Sequence, residues 1–122
     1  MIFVTADRSR TQLEGLTKLL ISAFPGSIIY QHLDLHRVPH DVMHNKVDAV
    51  FLEAEMEDKN GMALIQMLRR QKPNLPVFII SETDLFREKA VAAGANGYFV
   101  LPDNEQQLLD AIRLTKFKEN VS

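Results

Sequence analysis

Short apolar runs alternate along the chain with longer stretches in which apolar residues return every three or four positions. "MIFVT" at 1–5 is rich in β-branched and aromatic residues and predicts a strand. Leu13, Leu16, Leu20 and Ala23 then recur at helical spacing, and Asp7 or Ser9 stands where a side-chain oxygen caps the first turn. "FPG" at 24–26 ends that helix. "SIIYQ" at 27–31 predicts a second strand, and Pro39 suits the first turn of a short helix reaching about Asn45. Residues 48–53 read as a third strand, followed by the polar loop "EAEMEDKNG". Gly61 opens a helix carrying Met62, Leu64, Ile65 and Leu68, stopped by Pro73. "LPVFII" at 75–80 is a fourth strand ending at Ser81, and "DLFREKAVAAG" is a short helix closed by Gly94. "GYFV" at 97–100 is a fifth strand, and Leu108, Leu109, Ile112 and Leu114 mark a last helix.

Strands alternating with helices in this way imply a parallel α/β sheet covered on both faces. In such open sheets ligands bind beyond the carboxyl ends of the strands, at the topological switch point. That rule explains "AVFLEAEM" at 49–56, an apolar run that ends abruptly in an acid. Asp7, Glu53, Ser81 and Leu101 all fall at or just past strand ends and are expected to meet at one edge.

Composition narrows the picture little. The 122 residues fit one domain, and 25% charged with 46% hydrophobic residues is ordinary for a globular protein. A net charge of −2 gives no pull toward nucleic acid or a membrane surface. The absence of cysteine excludes disulfides, zinc–thiolate sites and thiol catalysis. No apolar run approaches the ~18 residues of a membrane span, and no basic segment leads a long apolar one at the N-terminus. The expectation is a cytoplasmic protein with no direct nucleic-acid or membrane partner.

Three stretches, "DAVFLEAEMEDKNGM", "LPVFIISETD" and "AAGANGYFVLP", carry a likeness to a known family. Over about residues 1 to 115 the chain resembles a receiver domain of the two-component response regulators, related to the bacterial chemotaxis regulator. The resemblance implies a flavodoxin-like doubly wound sheet of five strands in order 2-1-3-4-5, with five helices. It implies a receiver-like domain over 1–118 and a tail over 119–122 that could lead to an output domain. Such domains accept a phosphoryl group from a histidine kinase onto an aspartate, aided by Mg²⁺, a hydroxyl residue and a lysine. Carried over residue by residue, the first strand's acid pair falls on Ala6 and Asp7, and the acceptor aspartate on Glu53. The hydroxyl residue is Ser81, the lysine is Leu101 with Pro102 kept after it, and the aromatic switch residue is Tyr98. The proline usual after the loop's methionine is Glu57, while Met56 and Gly61 hold.

Three departures fall on the charged positions of one site. Phosphoryl transfer is catalysed mainly by positioning and charge stabilisation. Glu53 moves its carboxylate outward by one methylene, roughly 1.5 Å, and a misplacement of about 1 Å can cost ~10²-fold in rate. Ala6 weakens metal binding. Leu101 offers no cation, and losing one preorganised charge often costs roughly 3–4 kcal/mol. The resemblance thus implies a pseudo-receiver, not an enzyme, that signals through protein contacts without aspartyl phosphorylation. No cofactor is required, and residual Mg²⁺ binding would fall to Asp7, Glu53 and Glu55. Two other readings stay open: a working Mg²⁺-dependent phospho-acceptor, and a small-ligand sensor using the strand-end cleft. Glu53 either imitates the phosphorylated state, with one negative charge where phosphate brings about two, or marks a decayed site. With no lysine to relieve Asp7, Glu53 and Glu55, one of these carboxyls is expected to have a raised pKa.

The expected partner is a histidine kinase, a downstream effector or a second copy, bound through the fourth helix, fifth strand and fifth helix. Arg87, Lys89 and Arg113 stand on that face, with Asp84, Glu88, Asp110 and Lys116. His32, His36, His40 and His44 recur every four residues, a metal-ligand spacing on a helix. Pro39 interrupts any helix joining His36 to His40, so only His40 and His44 share a face, and ordinary surface histidines are the expectation. No histidine stands at a strand end positioned to activate Ser81, and "TADRSR" lacks the glycine of a phosphate-cradling loop.

Overall fold

The computed structural model describes residues 1–55 and 60–121. Five strands alternate with five helices: β1 (Ile2–Ala6), α1 (Arg10–Ala23), β2 (Ile28–His32), α2 (Val38–His44) and β3 (Ala49–Glu53), then α3 (Asn60–Gln71), β4 (Val77–Ser81), α4 (Arg87–Ala93), β5 (Gly97–Val100) and α5 (Glu105–Val121). Neighbouring strands are parallel throughout, in the order β2-β1-β3-β4-β5. This is the flavodoxin-like doubly wound sheet that the chain pattern and the resemblance imply.

The central strands are nearly unbroken apolar runs because both sheet faces are covered. On one face Val4, Val50, Leu52, Val77 and Ile79 pack with Val42, Ile65, Leu68 and Ala90 of α2, α3 and α4. On the other, Phe3, Phe51, Phe78 and Phe99 pack with Leu16, Leu20, Leu108 and Ile112 of α1 and α5. The four rings form a row across the sheet, with centroids 5.6 Å apart for Phe3–Phe51, 5.6 Å for Phe51–Phe78 and 5.7 Å for Phe78–Phe99. Aromatic pairs in such geometry add about 0.5–1.5 kcal/mol each beyond their burial. Gly97 makes room for the last ring, since a Cβ there would come within 2.8 Å of Phe99.

Local chemistry sets the element ends. Ser9 is the cap of α1, its Oγ accepting from the Gln12 N–H at 3.2 Å. Asp7 instead accepts from the Ser9 N–H at 2.7 Å. Gly94 closes α4 at φ 109°, a left-handed conformation that glycine adopts without a Cβ penalty. β4 begins at Val77, not Leu75, because Pro76 has no N–H for the ladder and contributes only its carbonyl, to Val50 N–H at 2.9 Å. α5 reaches Val121, so residues 119–121, expected as a tail, continue the helix. Met56 and Glu57 lie outside the described residues, as does the side chain of Lys116.

Candidate functional site

Strand pairing continues past the strands and aligns the site. Asp7 N–H donates to the His32 carbonyl at 3.0 Å, Ala54 N–H to Ile80 at 2.8 Å, and Leu101 N–H to Ser81 at 3.0 Å. These bonds set Asp7, Glu53, Ser81 and Leu101 along one carboxyl edge, as the strand pattern implies. Ala6 ends β1 at 2% exposure and presents no polar group there.

Arg8, which sequence reasoning passed over, lies among these acids. Its backbone N–H donates to Glu53 Oε2 at 3.0 Å and its Nε to Glu53 Oε1 at 2.9 Å. Its Nη2 lies 2.7 Å from Glu53 Oε1 and 3.3 Å from Glu55 Oε2. Both oxygens of the acceptor-position carboxylate are therefore engaged by one residue. The expectation of unrelieved acids is corrected here. A lysine is indeed absent at Leu101, but the Arg8 guanidinium supplies a cation from the turn just past β1. The signal was present in the sequence: β1 pairs with β3, Ala6 opposite Leu52, so residue 8 lies beside residues 53–55.

The two carboxyls at the edge diverge. Burial pushes Asp7 up to about 7, helped by its hydrogen bond to Glu53 and that group's negative charge, against the Ser9 N–H and Arg8. Burial also acts to raise Glu53, but hydrogen bonds from Asp7 and Arg8 outweigh it and hold Glu53 below its ordinary value. The raised carboxyl expected from crowding is thus Asp7, raised chiefly by burial, with Glu53 lowered beside it.

The residues present do not suit Mg²⁺. Ala6 contributes no donor, and Arg8 engages the carboxylates of Glu53 and Glu55. Among the described residues no group of three or more His, Cys, Asp or Glu side chains is arranged to hold a metal ion. His40 and His44 do share α2, their rings stacked at 4.2 Å with His44 Nδ1 bonded to the His40 carbonyl. His32 has an acidic partner that sequence reasoning did not assign, the buried Asp41 of α2.

Ser81 and Tyr98 meet at one residue, Thr83. The Ser81 Oγ accepts from the Thr83 N–H at 3.1 Å, and the Tyr98 hydroxyl donates to the Thr83 carbonyl at 2.7 Å. Both side chains are buried. Arg87 turns onto this unit, its guanidinium 4.9 Å above the Tyr98 ring and donating to the Tyr98 carbonyl at 3.2 Å. Arg113 packs over Phe24 at 5.6 Å, toward α1. Arg87, Lys89 and Arg113, the three basic residues expected on the interaction face, are all exposed, and Arg87 and Arg113 also contact neighbours within the fold. Leu85 and Val91, 80% and 57% exposed, supply apolar surface at α4.

Two hollows flank the edge. A polar cleft of about 290 Å³ lies over Arg8, Glu53, Glu55 and Ser81. A more apolar cavity of about 280 Å³ lies against Leu101 and Pro102. Gln12, Ser81 and Glu82 line both, and Gln12 Nε2 donates to Glu82 Oε1.

Comparison with known proteins gives this geometry a family. The model of the response regulator receiver domain matches residues 3–113. The stress response regulator protein 1 of Lodderomyces elongisporus is 31% identical over 81 residues, covering 66% of this chain and 22% of that protein. The glycerol metabolism activator of Pseudomonas putida is 26% identical over 102 residues, covering 81% of this chain and 46% of that protein. The chain thus spans less than half the length of either relative. A response regulator receiver domain protein from Clostridium thermocellum superposes with a TM-score of 0.81 at 21% identity, covering 98% of this chain and 97% of that one.

Proposed function

The chain belongs to the response regulator receiver domain family of signal-transduction modules, and from that premise we propose that it signals by protein contact without aspartyl phosphorylation. The observation that carries this is the Arg8–Glu53 clamp, in which both carboxylate oxygens are held by an internal guanidinium and backbone N–H. A phosphoryl acceptor needs a free carboxylate oxygen and a cation able to neutralise the incoming group. Here the carboxylate is engaged, and the local cation is tied to it.

The clamp resembles in charge what phosphorylation would create, a negative group at the end of β3 gripped by a cation. Glu53 with Arg8 acts as a fixed version of that state, and Asp7 keeps the edge from accumulating further negative charge. Receiver domains engage kinases and effectors. In this chain α4 and the turn before it, with exposed Leu85, Val91 and Lys89, form the surface for such a partner or a second copy.

Addition of Mg²⁺ and beryllofluoride, a phosphoryl mimic, tests the proposal in amide NMR spectra. The expected result is no saturable shift at Glu53, Ala54, Ser81 or Leu101. Saturable shifts there would show that the site still accepts a phosphoryl-like group, and the proposal would fall.

A further inference from the structure

The cavity against Leu101 is absent from the signalling proposal, and it would keep its walls whether or not Glu53 accepted a phosphoryl group. Its volume is about 280 Å³, and it opens to solvent. Leu16, Leu19, Ile80, Leu101 and Pro102 form its apolar walls. Its acidic groups are Asp7, Glu82 and Glu105, and no lysine, arginine or histidine lines it. At Leu101 the family's lysine would bring a cation to this wall, and leucine removes it.

Gly15 is the second observation. It sits inside α1, where glycine is the poorest helix former short of proline. A Cβ built on it meets no heavy atom within 4 Å, so packing does not demand glycine there. Gly15 lines the cavity, and a larger side chain at that position has room to grow into it. The helix carries an unfavourable residue whose structural consequence is open space.

The geometry points to a binding site for a small amphipathic amine, its apolar body against Leu16, Leu19 and Leu101 and its ammonium toward Glu82 and Glu105. An acidic rim without a counter-cation favours a cation and disfavours phosphates and carboxylates. An apolar pocket with a few convergent polar groups is the usual form of a small-molecule site. Such occupancy would join α1 to the segment linking β5 and α5.

Titration of the ¹⁵N-labelled chain with benzylamine, beside phenylacetate as the anionic counterpart, tests the site. Benzylamine is expected to give saturable millimolar-range shifts at Gly15, Leu16, Ser81 and Leu101, and phenylacetate none. Gly15→Leu puts a good helix former into α1 and fills the space, and it should abolish the response while the spectrum stays dispersed. Leu101→Lys should weaken benzylamine binding at least tenfold. No saturable response to benzylamine, an equal response to phenylacetate, or an undiminished response in Gly15→Leu overturns the assignment.

Discussion

Asp7 and Glu53 show how burial at one carboxyl and hydrogen bonds from neighbours at the other drive two adjacent acids apart in pKa. The folded pKa of Asp7, about 7, lies above its unfolded value of 3.8. Its contribution to stability is full below the unfolded value and is lost as pH rises through about 7. Glu53 runs the other way: its lowered folded pKa contributes stability above the unfolded value, which is lost on acidification. Asp7→Asn separates the two effects, because an amide can still accept from Ser9 N–H and donate to Glu53. Denaturant unfolding between pH 5 and pH 8 should show the native chain losing stability as pH rises, at up to about 1.4 kcal/mol per unit, while Asp7→Asn stays nearly flat. A native profile as flat as the variant's would contradict the shift at Asp7. Arg8→Met should lower stability by about 1 kcal/mol at pH 7, since its bonds to Glu53 are partly exposed to solvent. The same melts would measure it.

Among the elements, α3 depends on a contact with no sequence signature. Arg69 donates to the carbonyls of Gly94, Pro73 and Leu75, and to the side chain of Asn96. Asn96 in turn accepts from the Val77 N–H at 2.8 Å, so one guanidinium ties the end of α3 to the entries of β4 and β5. Arg69→Ala should destabilise the fold by about 2–3 kcal/mol, because it leaves partly buried carbonyls without their charged donor. Arg69→Lys should recover little of this, since an ammonium cannot reproduce the planar fork. Chemical denaturation of both variants decides the matter, and a loss below about 0.5 kcal/mol in Arg69→Ala would show the clamp to be incidental. The elements themselves were largely legible. Strand runs such as Ala49–Glu53 are continuous and apolar, and Gly94 marks its helix end plainly. The start of β4 was misread because Leu75 and Pro76 share the apolar character of the strand but lack its hydrogen bonding. Arg69 stayed hidden because its partners lie in loops 4 to 27 residues away, and no local period reports them.

At the scale of the whole molecule, the parallel sheet brings distant chain positions into one line and lets changes at one compensate changes at another. Asp7, Glu53, Ser81 and Leu101 could be placed at a common edge from strand order alone. Arg8 could have been placed there too, because β1 lies beside β3. It went unread because the resemblance directs attention to positions where the family keeps charges, and Arg8 is not among them. The cavity was less accessible still, since it depends on how α1 and the β5–α5 connection enclose Leu101. On the proposed reading, an internal ion pair and an apolar hollow stand where the family would hold a phosphoryl group and its lysine.

Intact mass after incubation with acetyl phosphate and Mg²⁺ tests that central claim most directly, with an Ala6→Asp, Glu53→Asp, Leu101→Lys variant measured alongside. The native chain should keep its mass while the variant gains one phosphoryl group, showing a sound scaffold with a closed acceptor site. A phosphoryl gain on the native chain, mapped to Glu53, would contradict the account.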